Sequence, residues 1–334
     1  MNPKIFYYCN DHRSAAGGHE RVYRHVEILA RNGYEAFAWR QEDDFRPPGL
    51  TRHAPAVDSA EFRRRFVEDN DYLVLPENLG LKILGHSGKK VIFHESLDRA
   101  FNCFGERAPD TYPYAHPSVV GVLAASDYDC RHLKFAFPGL PVFNIGMTID
   151  PQAFSHRPLR NKRKLITWVA REKAHISLLY HTARARGQAG LNKALEYHWA
   201  PLGDLPTQDV AKALEESLLF ISLSGEEGLE WAPWGAMLSG CLVAGYQFGP
   251  TKERLPITFQ CEYGEHIDIT RFIEKVMASF PGQIDEWSQA VDSTRRQALD
   301  NIVTLEEKSV LEAWERVFST NSQKTSARIT TPAL

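Results

Sequence analysis

Cysteine is scarce and scattered: Cys9, Cys103, Cys130, Cys241 and Cys261 are the only five in 334 residues, and no two form a C-x-x-C pair. Neither a zinc ribbon nor a disulfide framework has the spacing it needs, so reduced thiols in a cytoplasm are expected. A surplus of positive charge is also missing. The formal net charge is −3, which argues against a general nucleic-acid coat, because phosphate binding draws on a basic surplus. No stretch approaches the ~18 consecutive apolar residues of a membrane span, and the apolar run inside MNPKIFYYCN is too short for a secretory h-region. Neither export nor a membrane span is predicted, and peripheral association with the inner membrane face is left open. Carboxylates, histidines and cysteines form no metal-binding spacing, so no metal is expected.

Several catalytic signatures are missing too. The dehydrogenase fingerprint G-x-G-x-x-G does not open the first helix, where only Gly17-Gly18 stands after a polar loop. GHSGKK (85–90) lacks the spacing and the Ser/Thr of a phosphate loop, and it precedes a strand where such a loop must precede a helix. Neither H-E-x-x-H nor G-x-S-x-G occurs: His19-Glu20 and His94-Glu95 each lack a second histidine.

What is present is an ordinary folding composition. Hydrophobic residues make up 43% and charged residues 24%, which is far from a disordered chain. The length favours two domains of roughly 150 residues. KIFYYC (4–9) reads as a strand, and the segment from His19 as a helix whose apolar Val22, Val26 and Leu29 recur at helical spacing and which exits at Asn32-Gly33. YEAFAW, DYLVLP, KVIFH, VVGVLAAS and PVFNIG continue the strand series. A second series begins with KLITWVA (164–170) and runs through HISLLYHTARARG, LEYHWA, DVAKALEES, LLFISLS (218–224), WGAMLSG and CLVAGY (241–246). Such alternation predicts parallel sheets covered by helices on both faces, an α/β class with two Rossmann-like doubly wound domains. The expected division is an N-terminal domain over 1–150, a C-terminal domain over 151–303, a helix over 304–319 that returns to the first domain, and a mobile tail over 320–334. Within the helix, Val310, Leu311, Trp314, Val317 and Phe318 share one face. The basic run RPLRNKRK (157–164) reads as a solvated linker, with hinges at 154–164 and before Leu305.

Three segments follow predicted strands at their C-terminal ends, where open α/β sheets place ligands. SAAGGHERV brings Gly17 and Gly18 before a helix whose first N–H groups carry partial positive charge. VAREKAH puts Arg171 and Lys173 directly after a strand, where a guanidinium and an ammonium suit a departing diphosphate. SGEEGLEWAPWGAMLSGCLVAGY (224–246) sets adjacent acids and a tight glycine between two strands. The plainer alternatives are a flexible turn, a solvated strand end, and packing for Trp231 and Trp234.

Aligned on Glu227-Gly228 and Ala236-Met237, this last segment resembles the donor-site signature of family 4 glycosyltransferases of the GT-B fold, E-G-F-G-L-P-x-L-E-A-M-x-x-G. The first acid is kept and the second is replaced by Gly235. G-G-x-E-R-V with N-G-Y (17–34), ASDYDCRHL (125–133) and I-D-P-x-x-F (149–154) resemble other family segments in the same order. The resemblance implies two domains facing across a cleft and transfer of a sugar from a nucleotide-sugar donor to a hydroxyl acceptor such as a glycan or polysaccharide, without a metal and with retention of configuration. It implies that Glu227 binds donor-sugar hydroxyls, that main-chain N–H groups at Gly228, Leu229, Glu230 and Trp231 approach the phosphates, and that Arg171 and Lys173 hold the diphosphate. Gly17 and Gly18 would face it from the first domain, and His94 would contact the donor sugar. The donor is a substrate and no separate cofactor is implied. A glycine at 235 cannot accept a side-chain hydrogen bond, which keeps two rivals open: a GT-B module that binds a nucleotide, glycan or protein without turnover, and a nucleotide-sugar epimerase.

Overall fold

The computed structural model describes residues 2–9, 18–41, 54–146, 149–169, 173–203, 205–223, 231–247, 256–282, 284–303 and 306–329. The chain divides into two compact units, Met1–Met147 with Thr304–Leu334, and Thr148–Val303.

The first unit is built on β1 (Ile5–Cys9), α1 (Gly18–Arg31), β2 (Ala36–Arg40), β3 (Ala56–Val57), α2 (Ser59–Arg65), β4 (Tyr72–Pro76), β5 (Lys89–His94), α3 (Leu97–Asn102), β6 (Val119–Ala124), α4 (Asp127–Ala136) and β7 (Val142–Asn144). The strands run parallel in the order β3-β2-β1-β4-β5-β6-β7. The order reverses direction between β1 and β4, the position at which such sheets open a crevice for ligands. Every residue of β1 and β6 is buried, because helices cover both faces of a parallel sheet and its strands become continuous apolar runs. α1 ends at Arg31 and the chain leaves it through Gly33, whose φ of 85° is the left-handed exit that glycine adopts without strain.

The second unit comprises β8 (Arg163–Trp168), α5 (Lys173–Gln188), β9 (His198–Pro201), α6 (Thr207–Glu216), β10 (Ser217–Ser222), α7 (Trp231–Leu238), β11 (Leu242–Gln247), β12 (Phe259–Glu262), α8 (His266–Ser279) and α9 (Ile284–Val303). Its strands are parallel in the order β12-β11-β10-β8-β9. The chain therefore has the expected class, mixed α/β with two parallel sheets. α10 (Glu306–Ile329) then joins the first unit, where Val310, Ala313, Trp314 and Val317 enter the core with Tyr7, Val26, Leu29 and Tyr72.

Two expectations need correction. The run RPLRNKRK is not a solvated linker. Leu159 and Lys162 are buried, and the Lys162 ammonium donates to the carbonyls of Leu214, Glu215 and Ser239. Arg157 and Arg163 pair with Glu215 and Glu216, so the segment proposed as a hinge is built into the second unit by carbonyls and carboxylates at the ends of α6 and α7. The helix predicted to stop at 319 runs on to Ile329. No Gly or Pro interrupts 320–329, and Asn321 is buried and donates to the Val317 carbonyl at 2.7 Å. No helix among the described residues is long and apolar enough to cross a membrane.

Candidate functional site

In the second unit, β8 and β10 are paired neighbours, with Ile221 opposite Trp168 near their C-terminal ends. The two segments singled out by sequence therefore leave the sheet side by side, one between β8 and α5, the other between β10 and α7. Arg171 in the first, and Glu227, Gly228, Leu229 and Glu230 in the second, lie outside the described residues, as does Gly17 in the first unit. Lys173 is the first residue of α5 and Trp231 the first of α7, while Gly18 is the first of α1. Helices α5 and α7 thus start from adjacent strands, and their first-turn N–H groups make each start a favourable place for negative charge.

The replaced acid at 235 has a physical counterpart. Every residue of α7 after Trp231 is buried, and a Cβ built on Gly235 would lie 2.4 Å from Cε1 of Phe154. Phe154 is itself buried and tilts toward Trp231 at 6.0 Å between ring centroids. The space an acidic side chain would need is filled by an aromatic ring. Beside it, Trp234 is buried and its indole N–H has no hydrogen-bond partner among the described residues. We expect Gly235→Ala to destabilise by about 1–3 kcal/mol through overpacking, and Gly235→Glu by more, measured by urea denaturation. Unchanged midpoints in both would show that Phe154 does not occupy this space.

A further cluster at the same end of the sheet gave no sequence signal. His175 in the first turn of α5 meets His266, the first residue of α8, at 2.8 Å between Nδ1 and Nε2. The Tyr263 hydroxyl lies 3.2 Å from His175 Nε2, and His266 Nδ1 donates to the Gly264 carbonyl at 2.7 Å. Because that carbonyl only accepts, the proton on His266 Nδ1 is fixed. The chain of contacts ties the starts of α5 and α8 together.

In the first unit, His94 closes β5 and is 1% exposed. Its Nδ1 lies 2.9 Å from the Tyr114 hydroxyl, and its Nε2 faces Asp129 Oδ1 at 3.9 Å, too far for a hydrogen bond. Burial first, and then His132, push its pKa down to about 3, so the imidazole is neutral at physiological pH. Arg21, buried on α1, donates to Glu95 Oε1 at 2.9 Å and to the Gly146 carbonyl at 3.0 Å, and lies over Phe93 at 5.1 Å from the ring centroid. Arg21 ties α1, the end of β5 and the segment after β7 together at the C-terminal edge of the sheet. Its place in the G-G-x-E-R-V stretch alone carries no sign of this role. Among the described residues, no group of three or more His, Cys, Asp or Glu is placed to hold a metal ion.

Neither protein-family models nor curated proteins match this sequence. Solved structures do. Sucrose-phosphate synthase from Thermosynechococcus elongatus is 11% identical with a TM-score of 0.66, the match covering 95% of this chain and 100% of that one. A glycosyltransferase from Rickettsia africae ESF-5 is 13% identical with a TM-score of 0.63 over 95% of this chain and 99% of that one. The lipopolysaccharide outer core galactosyltransferase WaaB is 14% identical with a TM-score of 0.58 over 94% and 99%. At these identities the likeness establishes architecture alone: the chain has the GT-B fold, with two Rossmann-like units.

Proposed function

We propose that the chain is a glycosyltransferase that moves a sugar from a nucleotide-sugar to the hydroxyl of an acceptor such as a glycan or polysaccharide, on the cytoplasmic side, without a metal and with retention of configuration. The observation that carries this reading is the likeness to sugar-transferring enzymes over nearly the whole of both chains. The adjacency of β8 and β10 supports it. Arg171 and Lys173 follow β8 in the sequence and Glu227 follows β10, so in this reading cations and an acid serve one sheet edge. In this reading Glu227 binds donor-sugar hydroxyls, and the N–H groups at Gly228 to Trp231 approach the phosphates. Arg171 and Lys173 stabilise the departing diphosphate from outside the bond that breaks, so charge develops where donors are already in place. Gly17 and Gly18 are assigned to the phosphates as well. His94, neutral and enclosed, serves the donor sugar only if part of its cover moves aside.

Glu227→Ala and Arg171→Ala are each expected to lower transfer at least tenfold, on the order of 1.4 kcal/mol of transition-state stabilisation, with little change in the thermal melt. A panel of UDP-, GDP-, CMP- and dTDP-sugars supplies the assay. Undiminished turnover in both variants would refute the site assignment. The ring of Phe154 over Gly235 favours a second reading, a GT-B module that binds a nucleotide or glycan without turnover. That reading prevails if ligand stabilises the protein against melting while no donor is hydrolysed or transferred.

A further inference from the structure

The geometry of the histidine pair in the second unit fixes where its protons are. His175 and His266 face each other at 2.8 Å between Nδ1 and Nε2, with ring planes 10° apart and centroids 4.9 Å apart. Nitrogens that close in nearly coplanar rings form an edge-to-edge hydrogen bond, so one proton stands between them. The outer ends of the pair settle the rest. The Gly264 carbonyl, 2.7 Å from His266 Nδ1, only accepts, so that nitrogen carries a proton. In the neutral pair His266 Nε2 is then bare and accepts from His175 Nδ1. His175 Nε2 is bare in turn and accepts from the Tyr263 hydroxyl at 3.2 Å.

A first added proton fits this arrangement. Placed on His175 Nε2, it donates to the Tyr263 oxygen, because a phenol hydroxyl both donates and accepts, and no contact is lost. Tyr263 is 41% exposed, so its own proton can turn to water. A second added proton has no such place. It would set an N–H on each of the two facing nitrogens, 2.8 Å apart, and bring two imidazolium charges into contact. Among the described residues, Tyr246 of β11 packs on both rings at 6.0 and 5.8 Å between centroids, and Tyr263 packs on His175 at 5.3 Å. Beside His266 along the chain stand the carboxylates of Glu265 and of Asp268, the latter paired with Arg271 at 3.3 Å. The Cys261 thiol turns to the Glu265 carbonyl at 3.7 Å, and along α5 the nearest charged residue is Lys173, two positions before His175. These charges act on either added proton alike and leave the clash between the facing nitrogens as it is.

We propose that His175 and His266 form a single-proton joint: together they take up one proton and no second while the starts of α5 and α8 stay in contact, so acid beyond that point loosens the joint. Because α5 begins at Lys173, the joint also positions the helix start that the sugar-transfer reading assigns to the diphosphate; the proton count itself does not rest on that reading. The sign of the effect follows from linkage. In the unfolded chain both histidines are charged below about pH 6, whereas the folded pair holds one proton. The unfolded state then binds more protons, and the folding equilibrium falls tenfold for each pH unit of acidification.

The test counts protons in the folded, ligand-free protein from the NMR shifts of the histidine ring nitrogens, assigned by single substitutions, between pH 8 and pH 5. His181 and His198, exposed in the same unit, are the one-proton standards. The His175–His266 pair gains one proton in total. Two protons in the folded pair at pH 5 would overturn the proposal, as would none. A second arm compares wild type with His266→Gln, which keeps an acceptor oxygen near the Nε2 position and cannot be charged. From pH 6 to pH 5 the Tm of the second unit falls about 4 °C further in wild type than in the variant; parallel Tm curves would overturn the proposal equally. Should the variant fold poorly, the wild-type proton count decides alone. If no nucleotide-sugar binds at any pH, the sugar-transfer reading fails while the proton count still decides the joint.

Discussion

Trp314→Ala will cost the first unit about 3–5 kcal/mol, the upper range for truncating one core side chain. Trp314 is completely buried. Its indole N–H donates to the Tyr7 hydroxyl at 3.0 Å, and its ring packs edge-on against Tyr72 and obliquely against Tyr7 and Phe318. Tyr7 is buried in the central strand β1, so the truncation opens a cavity and also strips a buried hydroxyl of its closest partner, leaving His25 Nδ1 at 3.5 Å. The measurement is denaturant unfolding followed by far-UV circular dichroism. Glu307→Ala is the control, since its exposed pair with Arg31 contributes no more than about 1 kcal/mol. A loss below about 1 kcal/mol for Trp314→Ala would mean that α10 is not seated in the core of the first unit.

Lys162→Met is the second substitution with a large expected cost, again about 3–5 kcal/mol, this time in the second unit. The ammonium sits at 2.9 Å from the Leu214 carbonyl, 3.0 Å from that of Glu215 and 2.8 Å from that of Ser239. These are the carbonyls left over at the ends of α6 and α7, where a helix has acceptors without partners and a negative dipole end. The side chain is 5% exposed, so water cannot take over the three oxygens once the charge is removed. Burial lowers the lysine pKa, which shows the cost already met in folding; methionine avoids that cost but leaves the acceptors bare. Urea midpoints for the second unit read the loss. A change below about 1 kcal/mol would show that the carbonyls find other donors.

Much of this architecture was legible because parallel strands buried on both faces must be apolar along their whole length. YLVLP, VVGVLA and SLLFIS announce themselves in that way, and their spacing by helical segments implies parallel pairing. Other parts were missed for identifiable reasons. β3 has only two residues, too few for any period. In α8 the signal was present but went unread: Ile269, Phe272, Ile273, Val276 and Met277 form an unbroken buried face. The basic run at 157–164 misled because its partners are carbonyls and carboxylates from α6 and the end of α7, far away in sequence, and a charge run looks solvated until those partners are known.

The candidate site divides along the same line. Sequence could flag that position 235 lacks an acid, since that is a matter of residue identity. That Phe154 fills the vacated space depends on a contact between distant segments. The His175–His266 contact was equally invisible, because each residue alone is an ordinary polar side chain at a helix start. Their chemistry comes from proximity and exclusion of water, neither of which has a local sequence pattern.

The interrupted course of the first unit also sets a schedule during synthesis. Its sheet is complete once β7 has been made, yet the strand that anchors it, β1, waits for an indole that the ribosome adds only after the entire second unit, Thr148–Val303. At translation rates of ~5–20 residues per second, that delay is on the order of ten seconds or more. Throughout it, the apolar side chains of β1, α1 and β4 that α10 later covers, Tyr7, Val26, Leu29 and Tyr72 among them, wait without that cover.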